Sequence, residues 1–554
     1  MTLGSLLFGA LARLPPPATR RVRVERGLSA TMADGVTLVA DRYVPAADER
    51  APIVLMRCPY GRSGMWGMLA RVIAEHGYQV VIQSCRGTFD SGGTFEPLRH
   101  ERDDGLGTLD WLAAQPWFGG RVGMFGPSYL GYVQWAVAAG APPCLRALAP
   151  LITASEFGSL TYPGGGFALD TLLSWVHELA HQEEGWVPRL RAALFGRRRL
   201  ARAFDHLPLR EADLVAVGHP VPLYRDWLDH ADPGDGFWDG IDFSGRVPEV
   251  AVPATLVAGW YDIFLPRQLQ DFVDLRRAGR DVRLTVGPWT HLSAGLALVG
   301  TREALRWFDA HLRDREDAAR RAPVRIFVTG ADRWRSLPDW PPPATGERWF
   351  LRAGGRLGRT APRDEAPDRY RYDPASPTPA VGGTSMSGAA GARDNRRLEA
   401  RADVLTYTGD PLGDDLEVIG PVTAQVHLRS SLADTDVFVR LCDVSPRGRS
   451  VNVCDGSLRL GPGRPAPDGD GVRRVDLDLW PTAHRFRRGH RVRVQVSSGA
   501  HPRIARNLGG GEPVGEATAF HVAEQEVLHD AGHPSAIILP VIGSTPEESA
   551  GSGA

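Results

Sequence analysis

The chain has 554 residues, of which 43% are hydrophobic and 23% charged, and its formal net charge is −1. That describes a soluble protein of two to four globular domains with no positive excess to attract a polyanion. All 64 residues of the Lys/Arg class are arginine, which excludes a Walker-type lysine, a lysine Schiff base and a lysine nucleophile.

In chain order, residues 3–12 are apolar but short and follow no basic segment, so they do not read as a signal peptide. Apolar runs at 53–58, 80–84 and 122–125 each end in Gly, Pro or Arg-Gly and predict strands. Between them, 68–76 and 104–115 predict helices, the second from the spacing of Leu106, Leu109 and Leu112. Strands alternating with helices predict a mostly parallel sheet covered on both faces. A second set follows much later, with strands at 255–258 and 283–286 and a helix near 303–312.

The intervening stretch, 153–243, has helical periodicity, glycines at 164–166 and arginines at 197–199. It predicts a helical cap inserted over one end of the sheet, with the arginines on a solvated face. From about 345 the texture changes. Residues 372–383 are rich in Pro and Gly, and alternating strands follow at 418–428, 437–442, 491–496, 520–527 and 536–539. This predicts an all-β sandwich of jelly-roll type. The fold class is thus α/β: a core over 1–152 and 244–344, a cap over 153–243, a β-sandwich over 345–544 and a disordered tail over 545–554.

Five cysteines (Cys58, Cys85, Cys144, Cys442, Cys454) form no CxxC pair and read as reduced residues of a cytoplasmic protein. No run reaches the roughly 18 apolar residues of a membrane span. The expected partner is a small molecule, with no nucleic acid and no membrane, and a homo-oligomer is left open.

The sharpest local signal is Gly126-Pro127-Ser128-Tyr129-Leu130-Gly131, between an apolar strand and a helical segment. A serine on a tight strand-to-helix turn presents its hydroxyl at the end of the sheet. The usual pattern is G-x-S-x-G; here the second glycine comes three residues after the serine. Such a hydroxyl needs a base, and the base an orienting acid. Asp262 ends one later strand and His291 follows the next, in the chain order Ser, acid, His expected of an α/β-hydrolase.

With these motifs in place, the chain resembles the cocaine esterase and X-Pro dipeptidyl-peptidase group of serine hydrolases. The resemblance rests on Pro59-Tyr60-Gly61, Cys85-Arg86-Gly87, Asp103-Asp104-Gly105 with Asp110-Trp111, and the elbow G-x-S-Y-x-G. Further along it rests on Gly259-Trp260-Tyr261-Asp262, Gly287-Pro288-Trp289-Thr290-His291, Tyr372-Asp373-Pro374, and Asp434-Thr435-Asp436 with Asp455-Gly456. It implies an α/β-hydrolase core, an inserted helical cap and a C-terminal jelly roll. It also implies Ser128 as nucleophile, His291 as general base and Asp262 as orienting acid. The oxyanion hole it implies pairs the Tyr60 hydroxyl with the backbone N–H of Tyr129, and no metal or organic cofactor is needed.

Members of the group cleave esters, β-lactam side-chain amides or X-Pro dipeptides. One branch carries carboxylates just after the catalytic Asp to hold a substrate ammonium; here Ile263, Phe264 and Leu265 stand there instead. An unpaired ammonium against them would cost several kcal/mol, so an uncharged, bulky acyl group is expected. Phe167, Trp175, Phe264, Leu265 and Trp186 are candidate pocket residues, and Glu156, Glu183 and Glu184 are the candidates to grip a peptide amine. A competing reading is zinc chemistry at His177-Glu178-Leu179-Ala180-His181, which matches H-E-x-x-H but lacks a third ligand at the needed spacing. A third is a non-catalytic binding protein built on the β-sandwich, for which no ligand site stands out. His529 and His533 are expected at the surface.

Overall fold

A computed structural model of the chain describes residues 2–46, 48–184, 196–315, 322–386, 388–463 and 465–543. The segment read as a tail and Trp186 lie outside these residues. The first sheet has ten strands: β1 (Val22–Thr31), β2 (Thr37–Pro45), β3 (Ile53–Cys58), β4 (Gln79–Ser84), β5 (Val122–Pro127), β6 (Leu145–Leu151), β7 (Ala254–Tyr261), β8 (Val282–Thr290), β9 (Val324–Val328) and β10 (Arg333–Leu337). Their spatial order is β1-β2-β4-β3-β5-β6-β7-β8-β9-β10, parallel from β4 to β9 and antiparallel at both ends.

The central strands are buried on both faces, which is why apolar residues dominate them. On one face the helices Gly64–Glu75 and Ala294–Leu312 set Leu69, Ile73, Leu305 and Phe308 against the sheet. On the other, Glu101–Ala113, Tyr129–Ala138 and Leu265–Arg277 contribute Leu109, Leu112, Val133, Leu269 and Phe272. Because β5, β7 and β8 run parallel, their C-terminal ends lie along one edge, where a doubly wound sheet places its ligands.

Over that edge stand the short helices Gly158–Thr161, Ala212–Ala216 and Pro222–Asp229, a helical stretch over 196–204, and the longer helix Leu169–His181. In the last, Leu169, Leu172, Leu173 and Val176 are buried at i, i+3, i+4 and i+7, the stripe of an amphipathic helix.

The C-terminal all-β domain has eleven strands: β11 (Thr345–Arg352), β12 (Arg356–Gly358), β13 (Asp368–Tyr372), β14 (Leu405–Thr408), β15 (Leu416–Ser430), β16 (Thr435–Val444), β17 (Ser450–Leu460), β18 (Arg473–Phe486), β19 (Arg491–Ser497), β20 (Ala523–Leu528) and β21 (Ala536–Val541). It encloses its own apolar core and docks on the first sheet through Thr329, whose N–H and hydroxyl both donate to the Ala483 carbonyl at 2.9 and 2.8 Å.

Two sequence expectations need correction here. His529 is fully buried, not at the surface, because β13 covers the end of β20 and Asp368 accepts from its Nε2 at 3.0 Å. The strand expected from 520 begins at Ala523, and Phe520 is exposed. The five cysteines are free thiols, four of them buried and Cys144 half-buried.

Candidate active site

Ser128 sits between β5 and the helix Tyr129–Ala138 with φ 55° and ψ −122°, the strained backbone of a nucleophile elbow. Its own N–H donates to the Leu151 carbonyl at 2.9 Å, which anchors the turn to β6. The displaced glycine of the motif has a steric reason. A Cβ on Gly131 would lie 2.5 Å from Cγ2 of Thr153, so the helix approaches the chain after β6 only with glycine there. Gly126 is held similarly: a Cβ there would lie 2.3 Å from Cβ of Leu130.

Below the elbow, the Tyr129 side chain is tied into the core. Its hydroxyl donates to Glu101 Oε1 at 2.6 Å and accepts from the Leu98 N–H at 2.9 Å. Glu101 in turn pairs with the buried Arg57 at 2.6 Å. The Tyr129 N–H is the first of its helix, one of those left without an intrahelical acceptor.

Asp262 follows β7 and His291 follows β8. Nδ1 of His291 donates to Asp262 Oδ2 at 2.7 Å, and its Nε2 lies 3.2 Å from Ser128 Oγ. The other carboxylate oxygen of Asp262 accepts from the Phe264 N–H at 2.9 Å, and Asp262 is fully buried. With both oxygens committed, the carboxylate fixes the imidazole tautomer that turns the Nε2 lone pair towards the serine.

A cavity of about 400 Å³ opens over Ser128 and His291. Tyr60, Tyr129, Trp175 and Phe264 line it, with Leu172, Ile263 and the C-terminal domain's Met386. Tyr60 follows β3, stacks on Trp66 with ring centroids 6.0 Å apart, and accepts from the Trp175 indole N–H at 3.1 Å. Burial pushes the Tyr60 phenol well above its ordinary pKa, so its proton stays available for donation.

Two expected pocket residues are elsewhere. Phe167 is fully buried in the cap between Tyr162 and Tyr224, and Leu265 points into the core as the first residue of its helix. In both, a side chain of the right type faces packing, not the cavity. Trp175 and Phe264 do line it.

The H-E-x-x-H segment lies on the cap helix. His177 Nδ1 donates to the Ala216 carbonyl and His181 Nδ1 to Glu184, each at 2.9 Å. Among the described residues, no group of three His, Cys, Asp or Glu side chains comes together as a metal site. Glu178, from the same motif, instead borders the cavity over Ser128 and His291, where burial raises its carboxyl above the usual range and the charge of His291 opposes the rise. Its place was hidden in the sequence because it sits one helical turn beyond Trp175, and only the docking of the cap turns that face inward. Glu156 is occupied by the Ser159 N–H and hydroxyl, Glu184 by His181, and Glu183 is exposed.

Residues 34–293 match the family model of the X-Pro dipeptidyl-peptidase (S15 family), and residues 316–538 match that of the X-Pro dipeptidyl-peptidase C-terminal non-catalytic domain. The chain is 34% identical to the cocaine esterase of Rhodococcus sp. (strain MB1 Bresler), over 92% of this chain and 97% of that one. Among solved structures it is similar to an α-amino acid ester hydrolase, with a TM-score of 0.80 and 22% identity over 96% of this chain and 98% of the other. An aminopeptidase from a marine sediment Thaumarchaeota archaeon gives a TM-score of 0.78 and 23% identity, over 94% and 96%. These two likenesses bear on the fold, and the cocaine esterase match bears on the family. The chain belongs to the cocaine esterase and X-Pro dipeptidyl-peptidase family of serine hydrolases, on an α/β-hydrolase core with a C-terminal all-β domain.

Proposed function

We propose that this serine hydrolase cleaves a carboxylic ester or amide through an acyl-enzyme formed on Ser128. The observation that carries the reading is the unbroken hydrogen-bonded chain from Asp262 through His291 to Ser128 at the floor of a largely apolar cavity. Nε2 of His291 takes the proton of Ser128 Oγ as that oxygen attacks the substrate carbonyl carbon. The negative charge passes to the carbonyl oxygen, where the Tyr60 hydroxyl and the Tyr129 N–H donate to it. The tetrahedral adduct collapses, and His291 delivers the proton to the departing alkoxide or amine. Water then gives a proton to Nε2, attacks the acyl carbon, and Ser128 leaves with that proton restored. Every step is carried by these groups and water.

Trp175, Phe264, Leu172 and Ile263 on the cavity wall support an uncharged, bulky acyl group. Glu178 on the same wall supports a second reading, a substrate whose free amine pairs with that carboxylate, as in an α-amino ester or an X-Pro peptide. The five free thiols support a reducing compartment, the cytoplasm. The test is kcat/KM on matched aryl esters with and without an α-amino group, and on X-Pro anilides, for wild type, Ser128→Ala and Glu178→Gln. Deaminated esters turned over at least as fast as amino esters favour the first reading. Amino substrates preferred by a large factor, with that preference lost in Glu178→Gln, replace it with the second.

A further inference from the structure

Tyr60 presents one hydroxyl proton to the cavity, and its value as an oxyanion donor depends on where that proton points. A phenol hydroxyl has one proton and two lone pairs, and it rotates to suit its neighbours. The side chain that decides this comes from a different layer of the molecule. Trp175, on the cap helix Leu169–His181, donates its indole N–H to the Tyr60 oxygen at 3.1 Å. Indole nitrogen only donates, so this contact occupies a lone pair of Tyr60 and leaves its proton to be given elsewhere. A donor on the phenol oxygen also polarises the O–H bond and strengthens the hydrogen bond it makes in turn. The effect of Trp175 on the Tyr60 pKa has the matching sign: burial raises it, and the indole hydrogen bond pulls it down.

The indole is itself held firmly. Trp175 stacks on Trp227 with centroids 5.7 Å apart and a 17° interplanar angle, and meets Phe157 and Tyr129 at 6.2 Å each. The start of its helix is tied to the C-terminal domain, where the Asp170 N–H donates to the Pro502 carbonyl at 3.0 Å and Ser385 donates to the Asp170 carboxylate.

We propose that Trp175 is a positioning residue that acts through Tyr60: its indole N–H orients and polarises the phenol, so the oxyanion hole is complete only with the cap docked. This rests on the oxyanion role given to Tyr60 above. The test is a double-mutant cycle of 3-benzothienylalanine at position 175 and Tyr60→Phe on one neutral aryl ester, with a boronic acid as tetrahedral analogue; the substitute keeps the bicyclic ring of the cavity wall and puts sulfur in place of the N–H. Trp175→Phe, which also trims the cavity wall, is the second variant and is read only from the difference between the two Tyr60 backgrounds.

Loss of the N–H should lower kcat about tenfold, with KM within about twofold, the scale of one polarising hydrogen bond. Boronate affinity should fall in parallel. In the Tyr60→Phe background the same change at 175 should cost nothing further. An equal loss in both backgrounds, a change in KM alone, or no change would overturn the inference while leaving the role of Tyr60 intact. Full activity of Tyr60→Phe would overturn the oxyanion reading itself, and the inference with it.

Discussion

Asp170 is a carboxyl buried where cap and C-terminal domain meet, and its replacement by asparagine has a calculable effect on stability. Burial pushes its pKa up to about 6 from an ordinary 3.8, although the Ser385 and Thr171 hydroxyls donate to it and hold it down. No arginine comes within ion-pair distance among the described residues. A folded-state pKa above the unfolded value means the folded protein binds a proton that the unfolded chain releases. Stability is therefore fully present below about pH 4 and is lost as pH rises through 6. The shift of about two units corresponds to about 3 kcal/mol, of which 2–3 kcal/mol falls between pH 4 and 7.5. Asp170→Asn removes that dependence. Urea unfolding followed by tryptophan fluorescence at pH 4 and 7.5 should show the variant gaining about 2–3 kcal/mol on wild type as pH rises. Taking the difference cancels Asp271, another buried carboxyl pushed up to about 6. A difference that does not change with pH, or that moves in the opposite sense, refutes the account of this site.

The remaining predictions concern the elbow and the triad. Asp262→Asn should keep the fold and cut kcat by about 10⁴, because the amide would stabilise the wrong imidazole tautomer; steady-state kinetics with circular dichroism measures both. Tyr129→Phe leaves the Leu98 N–H without its buried acceptor and Glu101 Oε1 without the tyrosine hydroxyl, while Arg57 stays paired with Oε2. It should cost about 2–4 kcal/mol in denaturant unfolding, and a loss under about 0.5 kcal/mol would show that the hydroxyl does not brace the turn.

What the sequence disclosed depended on how local each signal was. The meeting of Ser128, Asp262 and His291 was legible because each ends a buried parallel strand, and chain order constrains how such ends meet. The central strands were legible because burial on both faces leaves few polar positions in their middles. β1 gives no such signal, since it is half exposed at the edge and broken by a bulge near Gly27. Nor does β6, where Arg146 and Pro150 interrupt the apolar run. β18 carries a period-two signal in Val475, Leu477 and Leu479 that its charged neighbours mask.

Phe167 and Leu265 were misplaced for another reason: periodicity reports that a side chain is buried, not which cavity or core it faces. The contact of Trp175 with Tyr60 spans 115 residues and exists only through docking of the cap. The same docking turns Glu178, the general base of the competing zinc reading, towards His291.

The central claim, that Ser128 is activated by His291 and Asp262, is tested most directly by intact mass after treatment with a fluorophosphonate. The experiment compares wild type, Ser128→Ala and Asp262→Asn, each with and without a chelator. The account predicts a single adduct on wild type, none on Ser128→Ala, much slower labelling of Asp262→Asn, and no effect of chelation. An adduct that persists in Ser128→Ala, or ester turnover that chelation abolishes while wild type stays unlabelled, would contradict it.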